Sequence, residues 1–196
     1  MKITELSQLD LNGTYTYADY LTWHFKERIE LLRGRITLMS PAPGMYHQKI
    51  SGNLHGILWS FLRNQSCQVF SAPFDVRLPR VSKGSEEVIY TVVQPDISVI
   101  CDESKLDEQG CIGAPDLVVE VLCPSNSRKE MKDKFDLYEE AGVQEYWLVD
   151  PTHRSLTRYV SNSEATFIGM RPLTDEDVFV TDLFPGLQVD MKEVFG

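Results

Sequence analysis

The sequence lacks any apolar run of about 18 residues, the length that a membrane-spanning helix requires. The segment from Met1 to Leu11 carries one lysine and no apolar block, which excludes a secretory signal. Repeats, low-complexity tracts and interdomain linkers are also absent. We therefore expect a cytoplasmic protein without membrane association, folded as a single domain over residues 1–196, because this length supports one core of full size.

Cysteine is scarce and scattered. The four residues are Cys67, Cys101, Cys111 and Cys123. None forms a C-x-x-C pair, and none has a histidine at zinc-finger spacing. Thiols of this kind are typical of a reducing compartment, so we expect buried or idle cysteines and neither a disulfide nor a metal role.

Positive charge is also in short supply, with 19 Lys and Arg against 29 Asp and Glu and a net charge of −10. Phosphate backbones repel such a protein at long range, so tight, salt-driven binding to an extended basic surface is not expected. A site that handles phosphate would need local neutralisation by a cation and a few basic side chains.

Two long helices are predicted from apolar periodicity, one over His47 to Leu62 and one over Ser127 to Ala141, which Gly142 closes as a C-cap. A capping box at Thr16–Asp19 predicts a short helix. Turn residues Arg33-Gly34 inside Ile29 to Met39 predict a hairpin. Polar loops are predicted over 79–87 and over Asp102 to Ala114, and Phe184 to Phe195 is a candidate docking tail.

Strands are predicted at Gln68–Leu78, Ile97–Cys101, Leu117–Leu122, Glu145–Val149 and Ser155–Val160. The second and third of these are almost wholly apolar, and such strands are usually covered on both faces. The sequence therefore predicts an α/β (mixed α+β) fold in which helices flank a central mixed β-sheet.

Glu120 lies inside the apolar strand at Leu117–Leu122. An unpaired buried charge costs several kcal/mol, so this carboxylate needs a partner. The partner is either an arginine, in a structural ion pair, or a metal ion.

Two Pro-Asp pairs offer a second carboxylate. Asp116 shares the strand of Glu120 and lies about 13 Å from it at roughly 3.3 Å per residue, too far to share one cation. Asp96 opens the neighbouring apolar strand and reaches Glu120 if the two strands pair. We therefore take Asp96 as the partner and Asp116 as an ordinary residue at the start of its strand.

Lys134 occupies the centre of the apolar face of the second long helix, with Met131, Leu137 and Tyr138 within about 60° of it on a helical wheel. Glu130 lies on the same face. A capping box from Ser127 and an i, i+4 pair with Lys134 account for Glu130, but not for two charges that point inward. Lys134 is therefore a candidate functional residue.

His47 lies in the first turn of the other long helix, at the centre of its apolar stripe. A histidine in such a place is more often a core residue with satisfied hydrogen bonds than a functional one, and both interpretations stay open. His24, His55 and His153 are weaker candidates.

These residues belong to a pattern that resembles the Uma2 family over about residues 16–195. The segments that carry the resemblance are Glu30–Gly34, His47, Gln94–Ile97, Pro115–Val121, Cys123–Asn126, Lys134, Tyr138 and Gly142–Pro151. Arg35 and Cys123 depart from the residues common in that family, which are acidic and serine respectively. Neither departure removes a candidate ligand.

The resemblance implies the restriction-endonuclease-like core of PD-(D/E)XK nucleases. Asp96 then matches the aspartate of the motif and Glu120 its second acid. The lysine of the motif is expected two residues after that acid, but Leu122 stands there, so the family implies that Lys134 supplies it from the following helix. Glu30 and His47 match polar positions of the family nearer the N-terminus.

The implied activity is metal-dependent hydrolysis of phosphodiester bonds in nucleic acid, with DNA as the expected substrate. Asp96, Glu120, the carbonyl of Val121 and Glu30 are the expected ligands of Mg²⁺ or Mn²⁺, and Lys134 and His47 are expected to handle water or phosphate. A possible homodimer is also implied. Two alternatives stay open, an inactive nuclease-like scaffold that binds DNA or protein, and a hydrolase of a small phosphate ester.

Overall fold

The structure, a computed structural model, describes residues 2–39, 44–79, 88–123 and 127–196. Its helices are α1 Tyr17–Tyr20, α2 Met45–Leu62, α3 Arg128–Ala141 and α4 Met191–Phe195, with 3-10 turns at Leu6–Gln8 and Glu103–Lys105. Its strands are β1 Ile29–Leu32, β2 Arg35–Leu38, β3 Gln68–Ser71, β4 Val76–Arg77, β5 Val92–Val93, β6 Ile97–Ile100, β7 Leu106–Asp107, β8 Gly110–Ile112, β9 Leu117–Val121, β10 Glu145–Asp150, β11 Ser155–Ser161, β12 Phe167–Gly169, β13 Leu173–Thr174, β14 Val178–Val180 and β15 Gln188–Asp190.

A mixed sheet of seven strands forms the centre of the fold, in the order β12-β11-β10-β9-β6-β3, with β13 beside β11. Strands β9 and β10 are parallel and α3 connects them, whereas β6 pairs with β9 in the antiparallel sense. The expected α/β architecture with a central mixed sheet is confirmed. This topology places the start of β6 beside the end of β9.

Both faces of the central sheet are covered, as the apolar strands predicted. Leu117, Val119 and Val121 pack with the buried face of α2 in one apolar cluster. Val118 belongs to a second cluster on the other face, with Leu137 and Tyr138 of α3. Glu120 therefore lies on the α3 side of the sheet, since side chains alternate between faces along a strand.

The bounds of α3 agree with its predicted caps. The Ser127 hydroxyl accepts a hydrogen bond from the backbone N–H of Glu130 at 3.0 Å, and Gly142 takes a left-handed conformation with φ of 85°. Residues with a side chain are strained in that conformation, which explains the glycine. The predicted hairpin at Arg33-Gly34, the first helix and the long helix ending at Leu62 are present as well.

A second sheet, in the order β2-β1-β5-β4-β8-β7, carries Glu30 on β1 and packs on the α3 side of the central sheet. Its last two strands form a hairpin within Asp102–Ala114, so the prediction of a loop there is wrong. The backbone of this hairpin passes close to the backbone of Asp75, and only glycine fits there. A Cβ at Gly110 would lie 2.2 Å from the carbonyl oxygen of Asp75. The hydrophobic pattern alone gave no signal for this turn.

Two further predictions need correction or fall outside the structure. The single strand predicted over Gln68–Leu78 is two strands, β3 and β4, which pair in different sheets. Pro73 lies between them and has no N–H to continue the first ladder. The loop predicted over 79–87 lies outside the described residues except for Pro79.

Cys67 and Cys101 form a disulfide, so the prediction of four idle thiols is wrong. They flank the antiparallel pair β3 and β6 just outside the Gln68–Ile100 pair, which places them opposite each other. Sequence spacing carried no information on this register. Cys111 and Cys123 retain their thiols.

The chain ends against the core. Phe195 in α4 is completely buried with Val194 and Met191 in the cluster that contains α2, so the predicted docking tail is confirmed. Among the helices of the described ranges, none has the length and apolar character to cross a membrane.

Candidate active site

Asp96 and Glu120 are brought together by the pairing of β6 with β9. Ile97 pairs with Val119, and one more step in this register places Asp96 opposite Glu120. The Asp96 carboxylate also accepts a hydrogen bond from the backbone N–H of Val121 at 2.8 Å. The two carboxylates therefore lie side by side at the edge where β6 begins and β9 ends, and we call Asp96 and Glu120 the acid pair.

Asp116 has a different environment at the opposite end of β9. Its carboxylate accepts hydrogen bonds from the backbone N–H of Cys101 at 2.7 Å and from the amide of Gln144 at 2.6 Å. These bonds tie the start of β9 to its neighbours. The geometry agrees with choosing Asp96 as the partner of Glu120.

Lys134 reaches Glu120 from α3. Its Nζ lies 2.9 Å from Oε1 of Glu120, and only 8% of the residue is exposed. The hydroxyl of Tyr138, one helical turn further along, donates to the same oxygen at 2.6 Å. The helical wheel predicted that Lys134 points toward the core, and in the structure it lies against Glu120 on β9.

Glu30 is the second carboxylate beside Lys134. It is 1% exposed on β1, and its Oε1 lies 3.0 Å from Nζ of Lys134. The same oxygen accepts the backbone N–H of Gln94 at 2.8 Å. Lys134 is therefore held between an acid from each of the two sheets.

His47 reaches the site from the first turn of α2. Its Nε2 lies 3.3 Å from Oδ2 of Asp96. Burial works against its protonation, but the hydrogen bond and charge of Asp96 and the carbonyl of Val121 raise the pKa of His47. Its Nδ1 is buried and has no hydrogen-bond partner within the described part of the chain. The histidine thus contacts the acid pair and does not behave as a satisfied core residue.

The cluster carries an excess of negative charge. Burial, followed by the charges of Asp96 and Glu30, raises the pKa of Glu120 to about 7, although Lys134 and the Tyr138 hydroxyl lower it. Burial disfavours the charged form of Lys134, but Glu120 and Glu30 outweigh it and raise the pKa of the ammonium group. Lys134 therefore stays charged between the carboxylates of Glu120 and Glu30.

The oxygen atoms of the acid pair suit a hard divalent cation. Each carboxylate uses one oxygen in the contacts above. The other oxygens, Oδ1 of Asp96 and Oε2 of Glu120, receive no hydrogen bond from the described residues. With the neighbouring carbonyl of Val121, they form an all-oxygen donor set of the kind that Mg²⁺ and Mn²⁺ prefer.

The expectation that Glu30 is a further metal ligand stays a prediction. Over the ranges that the structure describes, no group of three or more His, Cys, Asp or Glu side chains is arranged to hold a metal ion. Glu30 is almost completely buried, and its contact with Lys134 accounts for its position. The geometry thus favours a role in holding the lysine.

A cavity of about 20 Å³ borders Glu120 and is lined in part by Glu130, Lys134 and Tyr146. One water molecule needs roughly 10–15 Å³ of such space. The cavity is therefore large enough for one water beside the lysine. Residues 124–126 of the motif that follows β9 lie outside the described residues.

Sequence reasoning left two contacts of the site unassigned. Tyr138 was counted with the apolar face of its helix, although its spacing of four from Lys134 already placed it on the same side. Gln94 precedes Asp96 in the family motif, but its bond to Glu30 comes from its backbone N–H, which no side-chain pattern reveals.

The chain is similar to known proteins in sequence and in fold. The profile of a family described as "Uma2: Putative restriction endonuclease" matches residues 17–192. An "Uncharacterized protein slr1290" of Synechocystis sp. (strain ATCC 27184 / PCC 6803 / Kazusa) is 28% identical over 153 residues, which cover 76% of each chain. The crystal structure of "a putative nuclease belonging to DUF820" from Anabaena variabilis ATCC 29413 superposes with a TM-score of 0.70 at 21% identity, covering 92% of this chain and 97% of that one. The last likeness shows that the two proteins share a fold.

Proposed function

Because the chain belongs to the Uma2 family, whose proteins are nuclease-like, we propose that it is a metal-dependent endonuclease that hydrolyses phosphodiester bonds in DNA. The observation that carries the proposal is the buried contact of Lys134 with Glu120, beside Asp96 on the neighbouring strand. Acid, acid and lysine are the parts that the PD-(D/E)XK motif requires. Here the lysine comes from α3 and not from the strand.

In this proposal Asp96, Glu120 and the carbonyl of Val121 hold Mg²⁺ or Mn²⁺. A bound divalent ion lowers the pKa of a coordinated water and offsets charge on the phosphate. The charges of Asp96 and Glu30 raise the pKa of Glu120, so a cation beside Glu120 would relieve this repulsion.

Lys134 contributes a positive charge and N–H donors next to the reacting phosphate. Its ammonium stays protonated because Glu120 and Glu30 flank it. It can therefore orient a water or a phosphate oxygen by hydrogen bonding, but it does not act as a base. Glu30 fixes the direction of Lys134, and Tyr138 fixes Oε1 of Glu120, which would leave Oε2 for a metal ion.

His47 orients Asp96. Its Nε2 faces the Asp96 carboxylate, and its raised pKa favours the protonated ring that donates to an acid. The contact holds Oδ2 of Asp96 together with the N–H of Val121. The remaining oxygen of Asp96 is then directed to the metal.

Metal binding is the first test. We would titrate Mn²⁺ and Mg²⁺ into the wild type and into the Asp96→Asn/Glu120→Gln double variant by calorimetry. We expect wild-type binding that the double variant loses. Asp116→Asn is the matched control, because Asp116 is a carboxylate immediately before the strand of Glu120 but is bonded elsewhere.

Cleavage is the second test. Single-stranded, duplex and supercoiled DNA would be incubated with wild type and Lys134→Met in Mg²⁺ or Mn²⁺. We expect cleavage by the wild type and a loss of at least a hundredfold in the variant, the order of magnitude for removing one electrostatic donor from an active site. Absence of both metal binding and cleavage would leave a nuclease-like scaffold as the function.

A further inference from the structure

A row of aromatic rings runs along the segment that leads to β1. Tyr17 and Tyr20 stack with centroids 6.0 Å apart, Tyr20 and Trp23 lie 5.7 Å apart, and Trp23 and Phe25 stack at 6.0 Å. All four side chains are partly exposed. Tyr15 also meets the Trp23 ring edge-on, with centroids 5.2 Å apart. We call the contiguous rings of Tyr17, Tyr20, Trp23 and Phe25 the aromatic row.

One end of the aromatic row is anchored to the second sheet, where the guanidinium of Arg77 covers the ring of Tyr17 at 5.1 Å. The other end, Trp23 and Phe25, leads to the exposed residues Lys26, Glu27 and Arg28, two cations with one carboxylate between them. Aromatic faces next to basic side chains are the combination that binds single-stranded nucleic acid, since bases stack on the rings while cations neutralise phosphates.

The aromatic row is hydrogen-bonded to the candidate active site. Arg28 donates to the side-chain carbonyl of Gln94 at 2.9 Å, and the side-chain amide of Gln94 lies 3.4 Å from the Tyr20 hydroxyl. The backbone N–H of Gln94 binds Glu30, which holds Lys134. Gln94 also stands two residues before Asp96, so its contact with Arg28 places the Arg28 end of the row near that carboxylate.

The charge of the protein favours the same class of ligand. A net charge of −10 opposes binding that depends on many phosphate contacts. Stacking on aromatic rings supplies affinity without a large basic surface. The local pair Lys26 and Arg28 then complements the few phosphates nearest to the site.

We propose that the aromatic row binds a single-stranded or locally unpaired segment of nucleic acid and delivers it to the acid pair. This inference rests on the proposed nuclease function and adds the substrate class. Bases stack on Trp23 and Phe25, and Lys26 and Arg28 contact the phosphates of the same segment.

The test measures binding in EDTA, so that cleavage does not interfere. Fluorescence anisotropy of a labelled oligo(dT) of about twelve nucleotides is compared with a duplex of equal length. We expect tighter binding to the single strand, and at least about thirtyfold weaker binding by Trp23→Leu/Phe25→Leu, which keeps apolar volume but removes both rings, each worth about 1 kcal/mol or more of stacking. With two phosphates contacted, the slope of log K against log salt should be about −1.4, and Lys26→Gln/Arg28→Gln should bring it close to zero.

Trp59→Leu is the matched control, because Trp59 is another exposed tryptophan with a cation, Arg63, over its ring at 5.3 Å, and it lies on α2 outside the aromatic row. It should bind the single strand as the wild type does. Quenching of a 2-aminopurine oligonucleotide by the wild type provides a readout of stacking that needs no variant and survives any misfolding of the double variant.

Two results overturn the inference and separate it from the proposed function. If Asp96-dependent cleavage is present but the duplex binds as tightly as the single strand, or the ring variants match Trp59→Leu, the aromatic row is structural and the nuclease remains. If no nucleic acid is bound and none is cut in Mg²⁺ or Mn²⁺, both proposals fail together.

Discussion

Replacing Lys134 by methionine tests the electrostatics of the site without any assay of activity. Methionine keeps the apolar stem of the side chain but removes the ammonium group, so Glu30 and Glu120 are left facing each other at low exposure. Removing one partner of a buried ion pair costs about 3–5 kcal/mol. We expect Lys134→Met to lower the free energy of unfolding by that amount at pH 8 without metal.

A second substitution tests whether the lost free energy of unfolding is electrostatic in origin. Adding Glu120→Gln to Lys134→Met removes one of the two stranded carboxylates, so the double variant should regain about 2 kcal/mol or more. Urea unfolding followed by circular dichroism measures all three free energies. The control is Lys132→Met on the same helix, where an exposed i, i+4 pair with Asp136 is worth about 0.5 kcal/mol or less.

The same variant has a predicted pH dependence. The folded-state pKa of Glu120 is raised from 4.5 to about 7, so the folded protein holds a proton that the unfolded chain releases between those values. Stability from this group therefore increases as the pH falls from 7 to 4.5. Because Lys134 lowers the pKa of Glu120, its removal should enlarge this gain. A loss below about 1 kcal/mol, no recovery in the double variant, or a loss independent of pH would refute the reasoning.

Three further outcomes are expected. Tyr138→Phe removes the hydroxyl that donates to Glu120 and should cost about 1.5–3 kcal/mol in urea unfolding, as for other hydrogen bonds to charged groups. Thiol titration of protein that was unfolded without reductant should find two thiols, and four after reduction, because Cys67 and Cys101 are bridged; four thiols before reduction would contradict the disulfide. Gly110→Ala should destabilise by about 2 kcal/mol or more, because its φ is 133° and its new Cβ would meet the Asp75 carbonyl; an unchanged melting temperature would exclude that clash.

The parts of the site that are close in sequence could be predicted from it. Glu120 and Lys134 belong to one strand–helix unit, and the helical wheel predicted that the lysine faces the strand. Glu30 comes from another sheet, and its contact with Lys134 depends on how two sheets pack, which periodicity does not encode. The bridge between Cys67 and Cys101 depends in the same way on a strand register. The turn at Gly110 was missed because polar residues around it gave the pattern of a loop.

The origin of Lys134 on α3 has a mechanical consequence. Two groups on one strand would move as a single rigid body, and the distance between acid and lysine would be built into the backbone. Here Lys134 belongs to α3 and Glu120 to β9, so the distance between them depends on how α3 packs on the sheet. Leu137, one turn beyond Lys134, is one of the residues that pack α3 on the sheet. Side chains outside the candidate site thus determine the distance between Lys134 and Glu120.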